Sequence, residues 1–200
     1  MTHEGATAIG ASAGGFAALK LLLPTLPSGF PVAVVVVQHI AARASSNLPS
    51  LLADGGHLPV KFAEPAEPVA PGKVFLAPPG YHLLIEPDRT FALSVDGRVH
   101  HSRPSIDVLF ESASDVYGAD LVGVVLTGAN SDGAAGLRHI VDCGGRAIVQ
   151  DPTTASARMM PAAALQAVPT AHVLALSDIG PELVRMFDRR RSDVTDEEDR

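Results

Sequence analysis

The sequence has little of several things that define common classes of protein. Cys143 is its single cysteine, which excludes an internal disulfide and a cysteine-rich metal site. Tryptophan is absent and aromatic residues make up only 4% of the chain, so the core must consist mainly of aliphatic side chains. We expect Cys143 itself to be a small buried residue near the end of a helix.

Long hydrophobic runs and basic clusters are scarce as well. The longest run without charge, roughly residues 21–40, contains three prolines and a glycine, so it cannot form one membrane-spanning helix. The N-terminus lacks the basic and apolar regions of a secretion signal. The net charge is −7, and the short basic cluster at residues 189–191 is followed by acidic residues, which argues against nucleic-acid binding. We therefore expect a cytoplasmic protein that is not inserted in a membrane.

Apolar runs without polar alternation predict strands that are buried on both faces. Such runs occupy residues 32–37, 121–126 and 147–149, and helical patterns lie between them. This alternation predicts the α/β class, with a doubly wound, mainly parallel β-sheet flanked by helices. An antiparallel hairpin is expected around residues 82–95.

The remaining predicted elements follow from shorter patterns. Strands are expected at residues 7–9, 60–63, 74–77 and 172–176, and helices at 16–23, within 41–58, from 106 on, around 137–140, from 160 on and at 181–187. Ser105 is expected to cap the helix that follows it. We expect one domain over residues 1–188 and a charged, disordered tail over residues 189–200.

One stretch near the N-terminus joins a predicted strand to a predicted helix around a serine. Residues 10–14 read Gly-Ala-Ser-Ala-Gly, the G-x-S-x-G pattern of a nucleophile elbow. Such a turn places the Oγ of Ser12 at the edge of the sheet, facing the unpaired N–H groups of the helix start. A tight turn with an incidental serine is an alternative. A phosphate-binding loop is disfavoured because neither G-x-G-x-x-G nor a Walker lysine is present.

Two later residues are candidates to assist Ser12. His39 follows the strand at residues 32–37, and Asp132 follows the strand at residues 121–126. If these strands are parallel neighbours, the three side chains reach the same edge of the sheet. The histidine can then take the serine proton, and the aspartate can orient the histidine. Alternatively, His39 is an ordinary polar residue and Asp132 caps a helix.

Three other histidines are rival bases. His82, His100 and His101 lie in hairpin or loop segments rather than at the ends of buried strands, so they are less favoured. His100 and His101 also lack the cysteine or carboxylate spacing of a zinc site, and no metal site is predicted. The order Ser…His…Asp along the chain differs from the Ser…Asp…His order of α/β-hydrolases, so that family is a poor match.

Four segments in the same order resemble the catalytic domain of the CheB family, the protein-glutamate methylesterases of bacterial chemotaxis. They are residues 9–15 (Ile-Gly-Ala-Ser-Ala-Gly-Gly), 38–39 (Gln-His), 103–110 (Arg-Pro-Ser-Ile-Asp-Val-Leu-Phe) and 126–137, where Leu-Thr-Gly is followed by Asp-Gly-Ala-Ala-Gly-Leu. The similarity runs from about residue 6 to about residue 183 and includes residues 77–82 and 160–161.

The resemblance implies a doubly wound α/β fold and a serine hydrolase. Such an enzyme removes methyl groups from glutamate γ-methyl esters on the cytoplasmic helices of methyl-accepting chemoreceptors, releases methanol, and deamidates certain receptor glutamines. Ser12 matches the family's nucleophile, His39 its base and Asp132 the residue that orients the base. No cofactor is expected.

Several other residues are candidates to contact the substrate. Backbone N–H groups near Ala13 and in the loop of Gly128 and Ala129 are hypothetical oxyanion donors, and Arg103 is a further candidate for substrate contact. The sequence departs from the family here. Family members often have Met-Pro-Pro where residues 40–42 read Ile-Ala-Ala, methionine in place of Ala129, and threonine or serine in place of Ala13. These differences bear on the target and the rate rather than on the chemistry.

The regulated members of the family carry a receiver domain before this region, whereas here the catalytic strand starts within the first ten residues. We therefore expect either a free-standing methylesterase, controlled by partners such as a separate receiver protein or not at all, or an excised domain. Two other functions stay open. One is a serine esterase of the same fold that acts on other carboxyl esters or amides, and the other is a catalytically silent binding module.

Overall fold

The computed structural model describes residues 5–39 and 47–198, with the backbone alone for residues 189–198. Nine strands are described: β1 (Ala6–Ala11), β2 (Ala33–Gln38), β3 (Val60–Phe62), β4 (Val74–Leu76), β5 (His82–Ile85), β6 (Phe91–Ser94), β7 (Leu121–Val125), β8 (Arg146–Gln150) and β9 (His172–Leu174). Six α-helices are described with them: α1 (Gly15–Leu22), α2 (Leu48–Ala53), α3 (Ile106–Tyr117), α4 (Ala134–Asp142), α5 (Met159–Ala167) and α6 (Leu176–Glu198).

Seven of these strands form one parallel sheet, in the order β3-β4-β2-β1-β7-β8-β9. Strand β1 lies between β2 on one side and β7 on the other, so the chain reverses its direction of winding at β1. Clefts for ligands form at such a switch point, outside the carboxyl ends of the strands. The separate antiparallel pair of β5 and β6 completes the predicted architecture, and the α/β prediction is confirmed.

The sheet is buried on both faces because its strands alternate between two apolar cores. On β2, Val35 and Val37 belong to the core under α3, α4 and α5, whereas Val34 and Val36 belong to the core under α1, α2 and α6. All residues of β1, β2 and β7 are buried. Strands covered on both sides need no polar alternation, which is why their sequences are continuous apolar runs.

The last helix is longer than the helix predicted at residues 181–187. It spans Leu176–Glu198, so Pro181 lies inside it. Of the helix expected within residues 41–58, the structure describes α2, while residues 40–46 lie outside the described part. Over the described residues, no helix is both long enough and apolar enough to cross a membrane.

The end of β1 packs directly against the start of α3, and a glycine makes this contact possible. A Cβ at Gly10 would lie 2.4 Å from Cγ2 of Ile106, a distance that van der Waals repulsion forbids. Gly133, in the loop after β7, would meet the same Ile106 methyl at 2.6 Å. Ile106 therefore fits between two segments that have no side chains at the point of contact, and this brings the first turn of α3 close to β1.

Gly10→Ala tests this contact. The added methyl must push the start of α3 away from β1, and overpacking of this kind costs roughly 1–3 kcal/mol. We expect the free energy of unfolding, measured by urea denaturation, to fall by about 2 kcal/mol. Gly29→Ala is the matched control, because nothing lies within 4 Å of its added Cβ. An unchanged stability of the Gly10 variant would show that the contact is not tight.

Candidate active site

Three neighbouring strands bring the predicted residues to one edge of the sheet. Ser12 follows β1, His39 follows β2 and Asp132 lies in the loop after β7. The pairing continues past the strand ends, since the His39 amide donates to the Ala11 carbonyl at 2.9 Å and the Ser12 amide donates to the Thr127 carbonyl at 2.9 Å. The three segments are therefore joined beyond the strands and lead into one cleft.

The backbone around Ser12 is held from both sides. Its carbonyl accepts hydrogen bonds from the Gly15 amide at 2.8 Å and from Nε2 of Gln38 at 2.9 Å. The Thr127 hydroxyl donates to the Ala13 carbonyl at 2.8 Å. Gly14, with φ of 78°, takes the left-handed conformation that turns the chain into α1. Ser12 itself is half-buried, and these bonds hold its backbone at the cleft.

His39 is bound to Asp132 through one ring nitrogen. Its Nε2 lies 2.8 Å from Oδ2 of Asp132, and the His39 side chain is only 11% exposed. Because a carboxylate accepts hydrogen bonds, Nε2 carries the proton in the neutral ring. The lone pair of Nδ1 is then available as a base. Across the described residues no hydrogen bond joins the Ser12 hydroxyl to His39, and such bonds often tighten only when substrate is present.

Asp132 is completely buried and surrounded by donors. Besides His39, its carboxylate accepts the Ser105 hydroxyl at 2.8 Å, the Ile106 amide at 2.8 Å and the Asp107 amide at 3.1 Å. The two amides belong to the first turn of α3, where backbone N–H groups have no partner within the helix. Asp132 therefore satisfies the start of a helix that lies before it in the chain, instead of capping α4.

These donors determine the charge of Asp132. Burial alone would raise the pKa of this carboxyl, but the hydrogen bonds from His39, the Ile106 and Asp107 amides and Ser105 lower it below the ordinary value. The positive end of the α3 dipole acts in the same direction. Asp132 is thus ionised near neutral pH, as a group that orients a histidine and stabilises its protonated form must be.

A second buried carboxyl, that of Asp107, lies beside the first. Burial is the main cause that raises the pKa of Asp107 to about 6, and the charge of Asp132 raises it further. The hydrogen bond from the Gly136 amide, at 2.7 Å, opposes the rise. Since Asp132 receives four hydrogen bonds, it takes the negative charge and leaves Asp107 as the carboxyl that holds a proton more strongly.

His82 supports this arrangement and is not a rival base. Its ring is buried, with Nδ1 accepting from the Ser105 amide at 3.2 Å and Nε2 lying 3.0 Å from the Gly97 carbonyl. One nitrogen must therefore be unprotonated and the other must carry hydrogen, so the ring is neutral. His82 holds Ser105, whose hydroxyl holds Asp132. Ser105 occupies the N-cap position of α3 as predicted, but its hydroxyl donates to Asp132 and makes no capping bond to the backbone of α3.

The other two histidines do not contact Ser12, His39 or Asp132 by a hydrogen bond among the described residues. His100 is half-exposed and its Nε2 lies 3.3 Å from Oδ2 of Asp107, while His101 is exposed. The sequence analysis did not predict that Ser105, Asp107 and His82 support Asp132. Their contacts join segments that are far apart in the chain, so no local pattern indicates them.

Two of the predicted oxyanion donors have no hydrogen-bond acceptor in the described structure, and the third already has one. In the described chain no acceptor is bound to the amide of Ala13 or of Ala129, and both residues are exposed. The Gly128 amide donates to the Ala157 carbonyl at 2.9 Å, so of the two predicted amides in this loop the one without a partner is that of Ala129. Nη1 of Arg103 donates to the carbonyls of two residues at the end of the hairpin, Val95 and Asp96. Its predicted contact with substrate stays a prediction.

The parallel sheet and the three side chains at its switch point are typical of a serine hydrolase built on a doubly wound α/β fold. The CheB methylesterase family model matches residues 7–183 of the chain. The chain belongs to the CheB methylesterase family. The structure is similar to that of the CheB methylesterase catalytic domain of Thermotoga maritima, with a TM-score of 0.88 and 31% sequence identity. The match covers 91% of this chain and 98% of that domain.

Two curated relatives show how the chain compares in length. A putative protein-glutamate methylesterase/protein-glutamine glutaminase of Leptospira interrogans is 50% identical over 186 residues, which cover 93% of this chain and 96% of the relative. A protein-glutamate methylesterase/protein-glutamine glutaminase of Pseudomonas aeruginosa is 39% identical over 181 residues. The match covers 90% of this chain and 54% of that relative, so the chain spans about half its length.

The raised pKa of Asp107 predicts a pH dependence of stability. Between the ordinary value of 3.8 and about 6 the folded protein holds a proton that the unfolded chain has lost. The contribution of Asp107 therefore makes the free energy of unfolding fall as pH rises through this window. Asp107→Asn removes that loss, so we expect the variant to gain stability relative to the wild type between about pH 4 and about pH 7.

Chemical denaturation across this pH range measures the difference between the two proteins. Asp54→Asn is the control, because its carboxyl is exposed on the surface. A stability difference between the Asp107 variant and the wild type that is independent of pH would contradict the prediction.

Proposed function

We propose that this chain hydrolyses glutamate γ-methyl esters on the cytoplasmic helices of chemoreceptors, releasing methanol, and deamidates receptor glutamines. The observation that carries the proposal is the 2.8 Å contact between Nε2 of His39 and the buried carboxylate of Asp132, at the sheet edge that also holds Ser12. The names of the Leptospira and Pseudomonas relatives, which include both activities, support this choice of substrate.

In the proposed first step, the Ser12 oxygen attacks the ester carbonyl and Nδ1 of His39 accepts the hydroxyl proton. Nε2 keeps its hydrogen, which remains bonded to Asp132 at 2.8 Å. The ring becomes positive as the proton arrives, and the buried negative charge of Asp132 stabilises it. The low pKa of Asp132 matters here, because a protonated carboxyl would not stabilise an imidazolium ion.

The tetrahedral intermediate carries a negative oxygen that needs donors. The unpaired Ala13 amide lies directly after the nucleophile, and the unpaired Ala129 amide lies in the neighbouring loop, so we assign both to this role. Collapse of the intermediate breaks the ester C–O bond, and methanol leaves with the proton from Nδ1. Water then attacks the acyl group on Ser12 and gives a proton to Nδ1 of His39. The second intermediate collapses, Ser12 leaves with that proton, and the glutamate carboxylate is free. With a glutamine substrate, ammonia leaves in place of methanol.

Methanol release from methylated cytoplasmic fragments of chemoreceptors tests the proposal. Ser12→Ala removes the nucleophile and leaves the backbone bonds of the turn in place, so we expect the rate to fall about 10⁴-fold or more with the fold unchanged. Ser156→Ala is the matched control, since this exposed serine lies against Gly14 without a role in the reaction. We expect it to retain the wild-type rate.

The outcomes separate the candidate functions. Release from receptor fragments, with none from unrelated methylated proteins, supports the receptor methylesterase. Equal release from both supports an esterase of broader substrate range. Absence of release from any ester, with a correctly folded protein, would favour a silent binding module. The expected regulation by a separate receiver protein rests on the family resemblance and stays a prediction.

Two exposed apolar side chains next to the cleft are suited to hold a receptor helix. Phe16 lies in the first turn of α1, four residues after Ser12, and is 38% exposed. Met159 is 59% exposed and precedes Met160, whose amide donates to the Gly128 carbonyl at 2.9 Å. Aromatic residues and methionine are enriched at protein–protein interfaces. We include both residues in the proposed receptor-binding surface.

Phe16→Ala and Met159→Ala test the receptor-binding surface. We expect each to raise the KM for receptor fragments roughly five- to tenfold, because a well-packed apolar contact is worth about 1 kcal/mol or more. The kcat/KM for a small soluble ester should stay unchanged, since such an ester does not reach these side chains. Leu21→Ala is the matched control, an exposed leucine near the other end of α1. Equal loss with the small ester would assign the two residues to the catalytic step instead.

A further inference from the structure

A second group of chemically active side chains lies away from the cleft, on the helix pair α3 and α4. Asp115 of α3, His139 of α4 and Cys143, which ends α4, place one carboxylate oxygen, one ring nitrogen and one sulfur within 4.8 Å of one another. Nε2 of His139 lies 3.0 Å from Oδ1 of Asp115 and 3.8 Å from Sγ of Cys143. The proposed hydrolysis uses none of these three residues.

The arrangement follows from helix geometry. His139 and Cys143 are four residues apart, so they lie above one another on the same face of α4. Asp115 faces them from α3, which packs along α4. Both ring contacts converge on the same nitrogen, Nε2 of His139, so three donor atoms of different chemistry meet at one point.

The donor set and its spacing match those of zinc. A thiolate, an imidazole and a carboxylate are the ligand types that zinc accepts, and its usual bond lengths in a tetrahedral site separate the ligand atoms by roughly 3.3–3.7 Å. The two contacts of His139, at 3.0 and 3.8 Å, fall on either side of this range, and all three ligand atoms lie within 4.8 Å of one another, so the group must contract slightly to hold the ion. Because the Asp115 side chain is 68% exposed, it can shift by the small distance that is needed.

The surroundings are negative, which favours a cation. Three carboxylates, those of Asp115, Glu111 and Asp142, act on the His139 ring through their charge. Water is the fourth ligand that such a three-residue site expects. An ordinary ion pair on the surface would need neither the cysteine nor this concentration of negative charge.

We propose that Asp115, His139 and Cys143 form a binding site for a zinc ion. On binding, the thiol of Cys143 loses its proton to solvent and sulfur coordinates the metal as a thiolate, while the neutral ring of His139 coordinates through Nε2. The ion joins the last turns of α3 and α4. The first turns of these helices flank Asp132, so the zinc site and the candidate active site lie at opposite ends of one helix pair.

Cobalt titration of the reduced, tag-free protein tests the site directly. We expect Co²⁺ to produce the near-ultraviolet charge-transfer band of a cobalt–thiolate bond together with the visible bands of a tetrahedral ion. Added zinc should displace the cobalt and so remove both sets of bands. Because the chain has a single cysteine, a thiolate band can arise only from Cys143. Absence of the band in the wild-type protein would overturn the proposal, whatever the variants do.

Three variants locate the site. We expect Cys143→Ser to remove the thiolate band, His139→Gln to weaken zinc binding by about 100-fold, and Asp115→Asn to weaken it by about tenfold, as measured by competition with a chelator. His172→Gln is the matched control, because His172 pairs with Glu182 at 3.8 Å on another surface without a cysteine. It should bind zinc as the wild type does.

Zinc binding that is equally tight in all three variants would place the metal elsewhere and overturn the proposal. Then His139 and Asp115 form an ordinary surface ion pair. Receptor methylesterase activity is not a readout of this test, so its outcome does not depend on the proposed function.

Discussion

The structure around the cleft depends on one buried negative charge, that of Asp132. A carboxylate that is completely removed from water is costly unless donors replace the water. Here the donors come from four groups, namely the His39 ring, the Ser105 hydroxyl and the amides of Ile106 and Asp107. They belong to separate parts of the chain, so satisfying this one charge joins the end of β2, the loop before α3 and the loop after β7.

Burial and hydrogen bonds set the protonation states of the groups around Asp132. Burial raises the pKa of Asp107 to about 6, and the charge of Asp132 raises it further. His82 stays neutral because one of its nitrogens accepts the Ser105 amide. Asp132 binds Nε2 of His39, which leaves Nδ1 as the base, the reverse of the assignment in the chymotrypsin-type triad. The role of each nitrogen follows from its contacts, because either one can carry the proton.

Close packing is what brings these donors within reach. The first turn of α3 approaches β1 because Gly10 and Gly133 have no side chains where Ile106 packs. The resulting helix pair extends from the cleft to the group of Asp115, His139 and Cys143 at its other end. One packing arrangement therefore positions the buried carboxylate of Asp132 and also assembles the second group of donor atoms.

Local sequence patterns determined the architecture of the sheet and the positions of Ser12, His39 and Asp132 at its edge. Continuous apolar runs mark strands that are buried on both faces, and the residue that follows such a strand must lie at its carboxyl end. Tertiary structure alone decided which donors these residues meet. The Ser105 hydroxyl reaches Asp132, the Gly128 amide is already used by Ala157, and Cys143 meets Asp115. These pairs are distant in sequence, and no local pattern records a contact that forms only when separate elements pack together.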